Sequence, residues 1–269
     1  MAELDNKLRI NYGLSKACDN KFTLSKECRT SEQPEIAVWG DSYAMPLSQA
    51  IIAANPSVAM IQLTKSACGP ILGLAPFNVR DYNQEWARQC LNFNQQVFSY
   101  LKQSSSIKYV VLSSSLLQYT SSNWQFLTEN NIEKEDPELV LKYFKNTISQ
   151  LKAIGLLPVI VSPPPRNGED LGRCAIKTYF YVEATTACDF HLSENNKLHA
   201  KINSLLRKLE ADTSIIWLDA FICPKQHCQV INGATLLYRD QGHLSVEGAQ
   251  YIGKKYKLYQ LLKSSAAAI

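Results

Sequence analysis

The sequence predicts an α/β protein, a three-layer α/β/α sandwich around a parallel sheet. Short apolar runs recur along the chain, longer amphipathic segments separate them, and the two kinds alternate throughout. Strands of a parallel sheet are covered on both faces, so they are nearly continuous apolar runs. Helices packed on both faces then produce this alternation. Five runs are predicted strands: 35–38, 58–63, 107–112, 156–161 and 215–218.

The segments between the predicted strands have helical patterns. After the first run, Leu47, Ala50, Ile51 and Ala54 recur at i, i+3, i+4 and i+7, the spacing of a core-facing helix. Asp136 precedes a proline and a glutamate. This order combines an N-cap, a proline at the first helical position and an acidic first turn, so it predicts the start of another helix.

Composition divides the chain into three parts. Residues 1–34 are polar, lack clear periodicity and contain two cysteines, so we interpret them as a linker or extension packed on the main domain. Residues 35–263 contain all five predicted strands and form that domain. Residues 264–269 are interpreted as a tail of the kind that a cloning vector adds.

Composition and charge exclude several classes of protein. Hydrophobic residues make up 46% of the chain, enough for a sizeable core, and charged residues make up 19%, too few for a disordered protein. The net charge is +4, but the lysines and arginines are scattered. A nucleic-acid-binding surface needs a clustered basic patch. We therefore predict no nucleic-acid partner.

Eight cysteines predict disulfides and an oxidising compartment. The pairing is open, and we favour neighbours in sequence because each such pair brackets a loop. A zinc site from Cys223, His227 and Cys228 is the alternative, but it lacks a Cys-x-x-Cys spacing and a second ligand pair. We therefore predict no metal. The cysteines are Cys18, Cys28, Cys68, Cys90, Cys174, Cys188, Cys223 and Cys228.

The sequence has neither a membrane-spanning run nor a visible export signal. No apolar run approaches the roughly 20 residues of a membrane-spanning helix, and the N-terminus lacks the pattern of a signal peptide. Oxidised cysteines without an export signal indicate a part excised from a longer exported protein.

Ser42 is a candidate nucleophile. It follows the first apolar run in the segment Trp39-Gly40-Asp41-Ser42, and Gly40 lets the chain turn there. Ser42 is thus expected at the carboxyl end of a strand and near the N-terminus of a helix. Ligands collect at that edge of open α/β sheets, and helix N–H groups favour negative charge. A Gly-Asp-Ser tripeptide also occurs in plain turns.

A second segment, near the end of the chain, supplies a base and an acid that orients it. Asp240 lies three residues before His243, so its carboxylate can bond Nδ1 of the imidazole and leave Nε2 free to face a hydroxyl. The alternative is a turn in which Ser245 caps the last helix. Together, Ser42, Asp240 and His243 predict a Ser-His-Asp triad.

These segments resemble the SGNH (GDSL-like) hydrolase superfamily. More narrowly, they are similar to the periplasmic SGNH domain fused after the membrane domain of family-3 acyltransferases, of the type found in bacterial O-antigen acetyltransferases. The resemblance covers roughly residues 34–255, and its motifs are most specific at the two ends. The similar segments are 38–44, 64–70, 110–113, 158–165, 223–224 and 238–245.

The resemblance implies a fold, a setting and a reaction. The fold is the SGNH hydrolase sandwich with a flavodoxin-like sheet. The setting is the periplasmic domain of an inner-membrane protein, whose N-terminal acyltransferase membrane domain is the partner and passes an acetyl group outward. The reaction is O-acetyl transfer to a hydroxyl of an envelope polysaccharide acceptor, with O-antigen expected. No cofactor is implied.

The resemblance also implies an oxyanion hole. In SGNH enzymes a backbone N–H after the second strand helps to bind the oxyanion, and this chain has Ala67 where related domains usually have glycine; Gly69 is nearby. The third strand often ends in Gly-x-Asn-Asp, whose asparagine donates to the oxyanion. Here the strand ends in three serines, and Ser115 takes the asparagine position. The alternatives are a disulfide-bearing loop at Ala67 and a solvated turn at Ser115.

Two other functions are compatible with the same residues. One is a secreted carbohydrate acetylesterase, which uses the same triad with water as acceptor. The other is a non-catalytic carbohydrate-binding module with a vestigial triad. An upstream membrane domain in the full gene would exclude the first, and intact Ser42, Asp240 and His243 speak against the second.

Arg166, after a polyproline run, is interpreted as a solvated arginine near the site, with contact to a polar substrate as the alternative. Residues 166–193 are interpreted as a long loop region, in which Tyr179, Phe180 and Tyr181 either stack on sugar rings or hold the loop against the core.

Overall fold

The centre of the fold is a five-stranded parallel sheet. The structure is a computed structural model that describes residues 6–181, 185–194 and 197–267. Each of the five predicted apolar runs contributes one strand, in the order β2-β1-β3-β4-β5, which is the flavodoxin-like arrangement. The predicted fold class is therefore confirmed. The strands are β1 Ile36–Gly40, β2 Met60–Thr64, β3 Tyr109–Ser113, β4 Leu157–Val161 and β5 Ser214–Ile216.

Helices cover both faces of this sheet. One face carries α2, α4 and α6, and the other carries α1, α8 and α9, each with its own buried apolar cluster. Alternate residues of β1 enter the two clusters, as expected for a strand covered on both sides. The helices are α1 Met45–Ala54, α2 Gln84–Gln103, α3 Leu117–Thr120, α4 Pro137–Ala153, α5 Leu171–Tyr181, α6 Lys197–Arg207, α7 Asp219–Ile222, α8 Val246–Lys255 and α9 Leu258–Ala266.

Shorter elements lie outside the sheet. Three strands form a small antiparallel sheet, two further pairs form antiparallel ladders, and four segments are single turns of 3-10 helix. The strands are Ala75–Phe77, Gln125–Leu127 and Ile132–Glu133; Phe190–His191 with His227–Cys228; and Ile231–Asn232 with Thr235–Leu236. The 3-10 turns are Lys16–Cys18, Lys26–Cys28, Leu192–Glu194 and Pro224–Gln226.

The register of the sheet brings three loops together. Gly40, at the end of β1, lies opposite Thr64 on one side and Ser113 on the other. The chains that leave β1, β2 and β3 therefore emerge side by side at one edge. A Cβ at Gly40 would lie 1.8 Å from the carbonyl oxygen of Ser113, so only glycine fits this approach. This edge is where the candidate site residues are expected.

The predicted start of α4 is confirmed. The Asp136 side chain accepts a hydrogen bond of 2.9 Å from the backbone N–H of Glu138, and Pro137 is the first helical residue. Beyond the end of the helix, Gly155 has φ +82°, a conformation that favours glycine.

The prediction that residues 166–193 form a loop region is wrong for α5, which occupies Leu171–Tyr181. Leu171, Ala175 and Thr178 are buried at i, i+4 and i+7, so the helix packs on the core through one narrow stripe. The aromatic side chains at 179–181, which we expected to contact a sugar or the core, lie outside the described residues. At the other end, α9 continues through Ala266, inside the segment interpreted as a tail.

The eight cysteines pair as neighbours in sequence. The four disulfides are Cys18–Cys28, Cys68–Cys90, Cys174–Cys188 and Cys223–Cys228. The last of these removes the zinc alternative, because disulfide sulfurs are not the thiolates that zinc requires. No helix of the described segments is long and apolar enough to cross a membrane.

The extension docks along β2. The Gln62 side chain donates to the carbonyl of Tyr12 at 2.9 Å and accepts from the N–H of Leu14 at 2.8 Å. The Thr64 hydroxyl donates to the carbonyl of Cys18 at 3.0 Å. Residues 6–34 thus run beside the edge strand and reach the carboxyl edge of the sheet.

Candidate active site

The structure brings Ser42, His243 and Asp240 together at the carboxyl edge of the sheet. Ser42 lies in the turn between β1 and α1, and this turn is closed by a 2.9 Å bond from the Ala44 N–H to the Asp41 carbonyl. Asp240 and His243 lie in the loop before α8. That loop is held by a 3.0 Å bond from the Arg239 N–H to the His243 carbonyl.

The three side chains form a continuous hydrogen-bonded chain. Ser42 Oγ is 2.8 Å from His243 Nε2. On the other side of the ring, His243 Nδ1 is 2.9 Å and 3.0 Å from the two carboxylate oxygens of Asp240. With a proton on Nδ1, Nε2 accepts from the serine hydroxyl. This is the geometry of a nucleophile, a base and an orienting acid.

Asp240 is held as a carboxylate. Burial alone would raise its pKa, but the hydrogen bond and the charge of His243, together with the N–H groups of Gly242 and His243, outweigh burial and lower the pKa well below its usual value. Those N–H groups donate to Oδ1 at 3.0 Å and 2.8 Å. Arg239 Nη1 also lies 3.1 Å from Oδ2. The ionised form suits an acid that stabilises an imidazolium.

Tyr43 and Arg166 pack behind the histidine. The Tyr43 ring lies against the His243 ring, with centroids 4.2 Å apart, and Arg166 donates to the Tyr43 hydroxyl at 2.9 Å. Burial raises the pKa of Tyr43 to about 12, so its hydroxyl stays protonated. Only 4% of Arg166 is exposed, so the expectation of a solvated arginine is wrong. A Cβ at Gly242 would lie 2.7 Å from the Tyr43 hydroxyl.

Asp41 fixes the loop after β3. Its buried carboxylate accepts from the Ser114 hydroxyl at 2.6 Å and from the Ser115 N–H at 3.1 Å, and it also accepts from the Tyr43 N–H at 2.8 Å. Burial raises the pKa of Asp41, and these hydrogen bonds oppose the rise. Arg166 donates to the Ser115 carbonyl at 3.2 Å. The Ser115 backbone is therefore held from both sides.

Ser115 lines the site, but its N–H and its hydroxyl both already donate hydrogen bonds within the protein. Its hydroxyl donates to Oε1 of Gln118 at 2.7 Å, and its N–H donates to Asp41. A hydroxyl contribution to an oxyanion therefore requires the Ser115–Gln118 bond to break.

Ala67 occupies a left-handed position in a tight turn after β2. The Cys68 N–H donates to the Lys65 carbonyl at 3.0 Å, and Ala67, the third residue of the turn, has φ +60°. Within the described residues, the Ala67 and Ser42 N–H groups donate no hydrogen bond to the protein. A positive φ is a conformation that favours glycine, so alanine is an unfavourable residue at this position.

Ser42, His243 and Asp240 border an open cavity of about 650 Å³, together with Ala67 and Ser115. It is large enough for a sugar unit and a small acyl group. No group of three or more metal-binding side chains occurs among the residues that the structure describes. The cavity lining includes Asn11, Tyr12, Asp19, Ser42, Ser66, Ala67, Tyr82, Ser115, Gln118, Arg166, Arg239 and His243.

Sequence reasoning missed the residues that support the site. Tyr43 and Asp41 flank the candidate nucleophile in sequence, so their proximity to Ser42 was available as a signal. Arg166 and Asp19 reach the cavity only through tertiary structure, from 123 and 47 residues away from the partners they bond. Nothing in the local sequence indicates these contacts.

Comparison with known proteins identifies the class. Residues 17–257 match the family model described as the SGNH domain fused to AT3 domains. The chain therefore belongs to this family, as predicted from its sequence motifs. Membership also confirms the predicted enzyme class, an O-acyltransferase with SGNH esterase-type chemistry. No curated protein matches the chain.

Comparison with solved structures gives matches at low sequence identity. The periplasmic domain of a lipopolysaccharide acetyltransferase from Salmonella ser. Paratyphi A has 17% identity and a TM-score of 0.66, covering 91% of this chain and 92% of that one. A GDSL-like lipase from Bacteroides thetaiotaomicron has 12% identity and a TM-score of 0.45, covering 87% and 92%. The C-terminal catalytic domain of Streptococcus pneumoniae peptidoglycan O-acetyltransferase A has 12% identity and a TM-score of 0.38, covering 87% and 95%.

Proposed function

We propose that this domain transfers an acetyl group to a hydroxyl of an envelope polysaccharide, with Ser42 as nucleophile, His243 as base and Asp240 as the orienting acid. The observation that carries the proposal is the unbroken chain of contacts from Ser42 Oγ through His243 to Asp240, beside an open cavity. Family membership supports acyl transfer as the chemistry. The similarity to the Salmonella domain, which belongs to a lipopolysaccharide acetyltransferase, supports a polysaccharide acceptor. The resemblance of the sequence motifs makes O-antigen the first candidate.

The first half-reaction forms an acetyl-enzyme. Ser42 Oγ attacks the carbonyl carbon of the acetyl donor while His243 Nε2 takes the hydroxyl proton. The tetrahedral intermediate collapses, the bond from carbon to the leaving group breaks, and His243 returns the proton to that leaving group. Asp240 stabilises the transient imidazolium. The product is an acetyl ester on Ser42.

The second half-reaction passes the acetyl group to the sugar. An acceptor hydroxyl in the cavity gives its proton to His243 and attacks the acetyl carbon. The ester bond to Ser42 then breaks, and the proton moves from His243 to Ser42 Oγ. Water in place of the sugar hydroxyl gives hydrolysis, so a weak esterase activity is expected as a side reaction.

The oxyanion of each intermediate is stabilised by backbone N–H groups. Those of Ser42 and Ala67 are the proposed donors, because neither donates to the protein in the part of the chain described. A single such donor contributes on the order of 10²–10³-fold in rate. Ser115 is a further donor only after its hydroxyl leaves Gln118.

The acetyl group reaches this domain from a membrane domain. The SGNH domains of this family are fused to AT3 domains, and an AT3 membrane domain in the same full-length chain would pass acetyl groups to the periplasmic side. The chain contains no glycine-rich phosphate loop for a nucleotide-based donor. We therefore expect that the domain alone, mixed with acetyl-CoA and purified polysaccharide, gives no new O-acetyl signals by NMR. Robust acetylation in that mixture would contradict the relay.

The triad is tested by Ser42→Ala and His243→Ala. Each substitution should lower the hydrolysis of p-nitrophenyl acetate by about 10³-fold or more, because the residues act as a unit. Melting temperatures should stay near that of wild type. His227→Ala is the matched control, since His227 forms a similar pair with Asp189 at 3.0 Å, outside the cavity lining. Near-normal hydrolysis by either triad variant would exclude the proposed roles.

A further inference from the structure

The His243 ring has contacts of two kinds, made by its nitrogens and by its face. Its nitrogens lie 2.9 Å and 3.0 Å from the Asp240 carboxylate oxygens and 2.8 Å from Ser42 Oγ. Its face packs against the Tyr43 ring, with centroids 4.2 Å apart and planes inclined by 36°. Rings that meet only by their edges have centroids farther apart than this, so the two rings overlap by their faces.

Acetylation of Ser42 would remove one of these contacts. In the proposed acetyl-enzyme, Ser42 Oγ has lost its hydrogen and become the ester oxygen, so it no longer donates to His243 Nε2. The contacts with Asp240 and Tyr43 remain. The imidazole must still direct Nε2 at the incoming hydroxyl, and the torsion that sets the plane of a histidine ring is broad. A restraint on the ring plane is therefore needed most in the second half-reaction.

Tyr43 is held by contacts that do not involve the Ser42 hydroxyl. The Arg166 guanidinium donates to the Tyr43 hydroxyl at 2.9 Å, and the Tyr43 N–H donates to the Asp41 carboxylate at 2.8 Å. Gly242 leaves room for the Tyr43 hydroxyl, because a Cβ there would lie 2.7 Å from it. Tyr43 and Arg166 are both buried. The proposed reaction changes none of these contacting atoms, so we expect the Tyr43 ring to keep its place in the acetyl-enzyme.

We propose that Tyr43 is a positioning residue that keeps the His243 imidazole aligned after Ser42 has been acetylated, so that deacylation depends on Tyr43 more than acylation does. In the free enzyme, the Ser42 hydroxyl and the Tyr43 ring both restrain the imidazole. In the acetyl-enzyme, the Tyr43 ring and Asp240 restrain it without the hydroxyl. The inference rests on the proposed function, and it adds a residue that serves the transfer of the acetyl group to the acceptor.

Tyr43→Leu tests the inference, because it removes the aromatic face and keeps an apolar side chain. With saturating p-nitrophenyl acetate, kcat and the steady-state fraction of acetylated Ser42, measured by mass spectrometry after an acid quench, together give the rate constants of acylation and deacylation. A pair of aromatic rings shifts a population by about 2- to 12-fold. We expect deacylation to slow by about this factor and acylation to slow less. Acylation slowed as much as deacylation, or deacylation unchanged, would overturn the inference.

Tyr43→Phe separates the ring face from the hydroxyl. It keeps the ring and removes the bond to Arg166, so its deacylation rate should lie closer to wild type than that of Tyr43→Leu. Tyr256→Leu is the matched control, since the Tyr256 ring stacks on Phe221 with centroids 4.4 Å apart and its hydroxyl donates to the Phe221 carbonyl at 2.8 Å, outside the cavity lining. It should lower the melting temperature and leave both rate constants unchanged. Equally slow deacylation in Tyr43→Phe and Tyr43→Leu would contradict the role of the ring face.

Two further results separate this inference from the proposed function. If wild type forms acetylated Ser42 and Tyr43→Leu slows both steps equally, only the role of Tyr43 fails. If Ser42→Ala retains hydrolysis, the proposed function fails, and a crystal structure of Ser42→Ala still tests the restraint, because this variant also lacks the serine hydroxyl. In that structure the His243 ring should stay against Tyr43, and a ring turned away from Tyr43 would contradict the restraint.

Discussion

At the residue scale, the site depends on how its surroundings shift the pKa of the Asp240 and Asp41 carboxyl groups. Both carboxyl groups belong to the loops around Ser42 and His243, but their environments differ. Asp240 faces a histidine and two N–H donors, which lower its pKa despite burial. Asp41 is fully buried, and burial raises its pKa although three donors oppose the rise. The surroundings of Asp240 thus favour the ionised form that suits its contact with the histidine, whereas Asp41 serves as a buried hydrogen-bond acceptor for the loop after β3.

The lowered pKa of Asp240 makes its contribution to stability depend on pH. The unfolded chain takes up this proton near the usual value of 3.8, before the folded chain does. The stabilisation is therefore present above about pH 4 and is lost as the pH falls towards the folded pKa. We expect the free energy of unfolding of wild type to exceed that of Asp240→Asn at pH 4–5, and this difference to shrink as the pH falls below about 4.

Urea unfolding with the disulfides intact, repeated over this pH range, measures that difference. Comparison with wild type at each pH cancels the contributions of titrating groups that do not interact with Asp240. Asp81→Asn is the control, because an exposed aspartate should change stability little at any pH. A difference for Asp240→Asn that grows as the pH falls below about 4 would have the wrong sign for this account.

At the scale of elements, the order of strands and helices places the chemistry. The loops after β1, β2 and β3 meet at one edge, and the loop before α8 brings the histidine to the same edge. The helices that cover the sheet keep this edge in place, so their caps affect the stability of the scaffold rather than the reaction itself.

The cap of α4 gives a quantitative test at this scale. Asp136 is exposed, and its side chain accepts from the Glu138 N–H at 2.9 Å. Asp136→Ala should lower the free energy of unfolding by about 0.5–2 kcal/mol, the usual cost of losing an N-cap. Asp136→Asn keeps an accepting oxygen and should cost far less. Equal stability of the alanine and asparagine variants, measured by urea unfolding, would show that the cap contributes nothing.

The elements were predictable where the sequence pattern is local. The five strands follow from apolar runs, and the start of α4 follows from Asp136 and Pro137. The helix α5 was missed because its buried stripe is narrow and includes a polar residue, Thr178. In the site, the Gly-Asp-Ser and Asp-x-x-His motifs predicted Ser42 and His243. The contact between Asp19 and Ser66 could not be predicted from the sequence, because it joins segments that only tertiary folding brings together.

At the scale of the whole molecule, two of the four disulfides anchor segments that reach the carboxyl edge of the sheet. The Cys18–Cys28 bridge anchors the extension, and the Cys68–Cys90 bridge anchors the loop with Ala67. Such bridges form in oxidising compartments, which agrees with a periplasmic setting. Under the proposed relay, this domain receives its acetyl group from an AT3 membrane domain.

The disulfides predict the thiol content of the exported protein. Peptide mapping without reduction, after alkylation of the natively exported protein, should find none of the eight cysteines alkylated and should recover the four neighbour pairs. The sample must be exported protein, because the reducing cytoplasm would keep the same cysteines as free thiols. Eight alkylated cysteines would contradict the periplasmic setting.

The most direct test of the central claim is covalent labelling of the nucleophile. Phenylmethylsulfonyl fluoride reacts irreversibly with serine hydroxyls that a neighbouring base activates. Mass spectrometry of digested wild-type protein should find one adduct, on Ser42, formed much more slowly in His243→Ala. Ser57→Ala, which changes an exposed serine outside the cavity, should be labelled like wild type. An adduct on another residue, or equal labelling of Ser42→Ala, would contradict the assignment of Ser42 as the activated nucleophile.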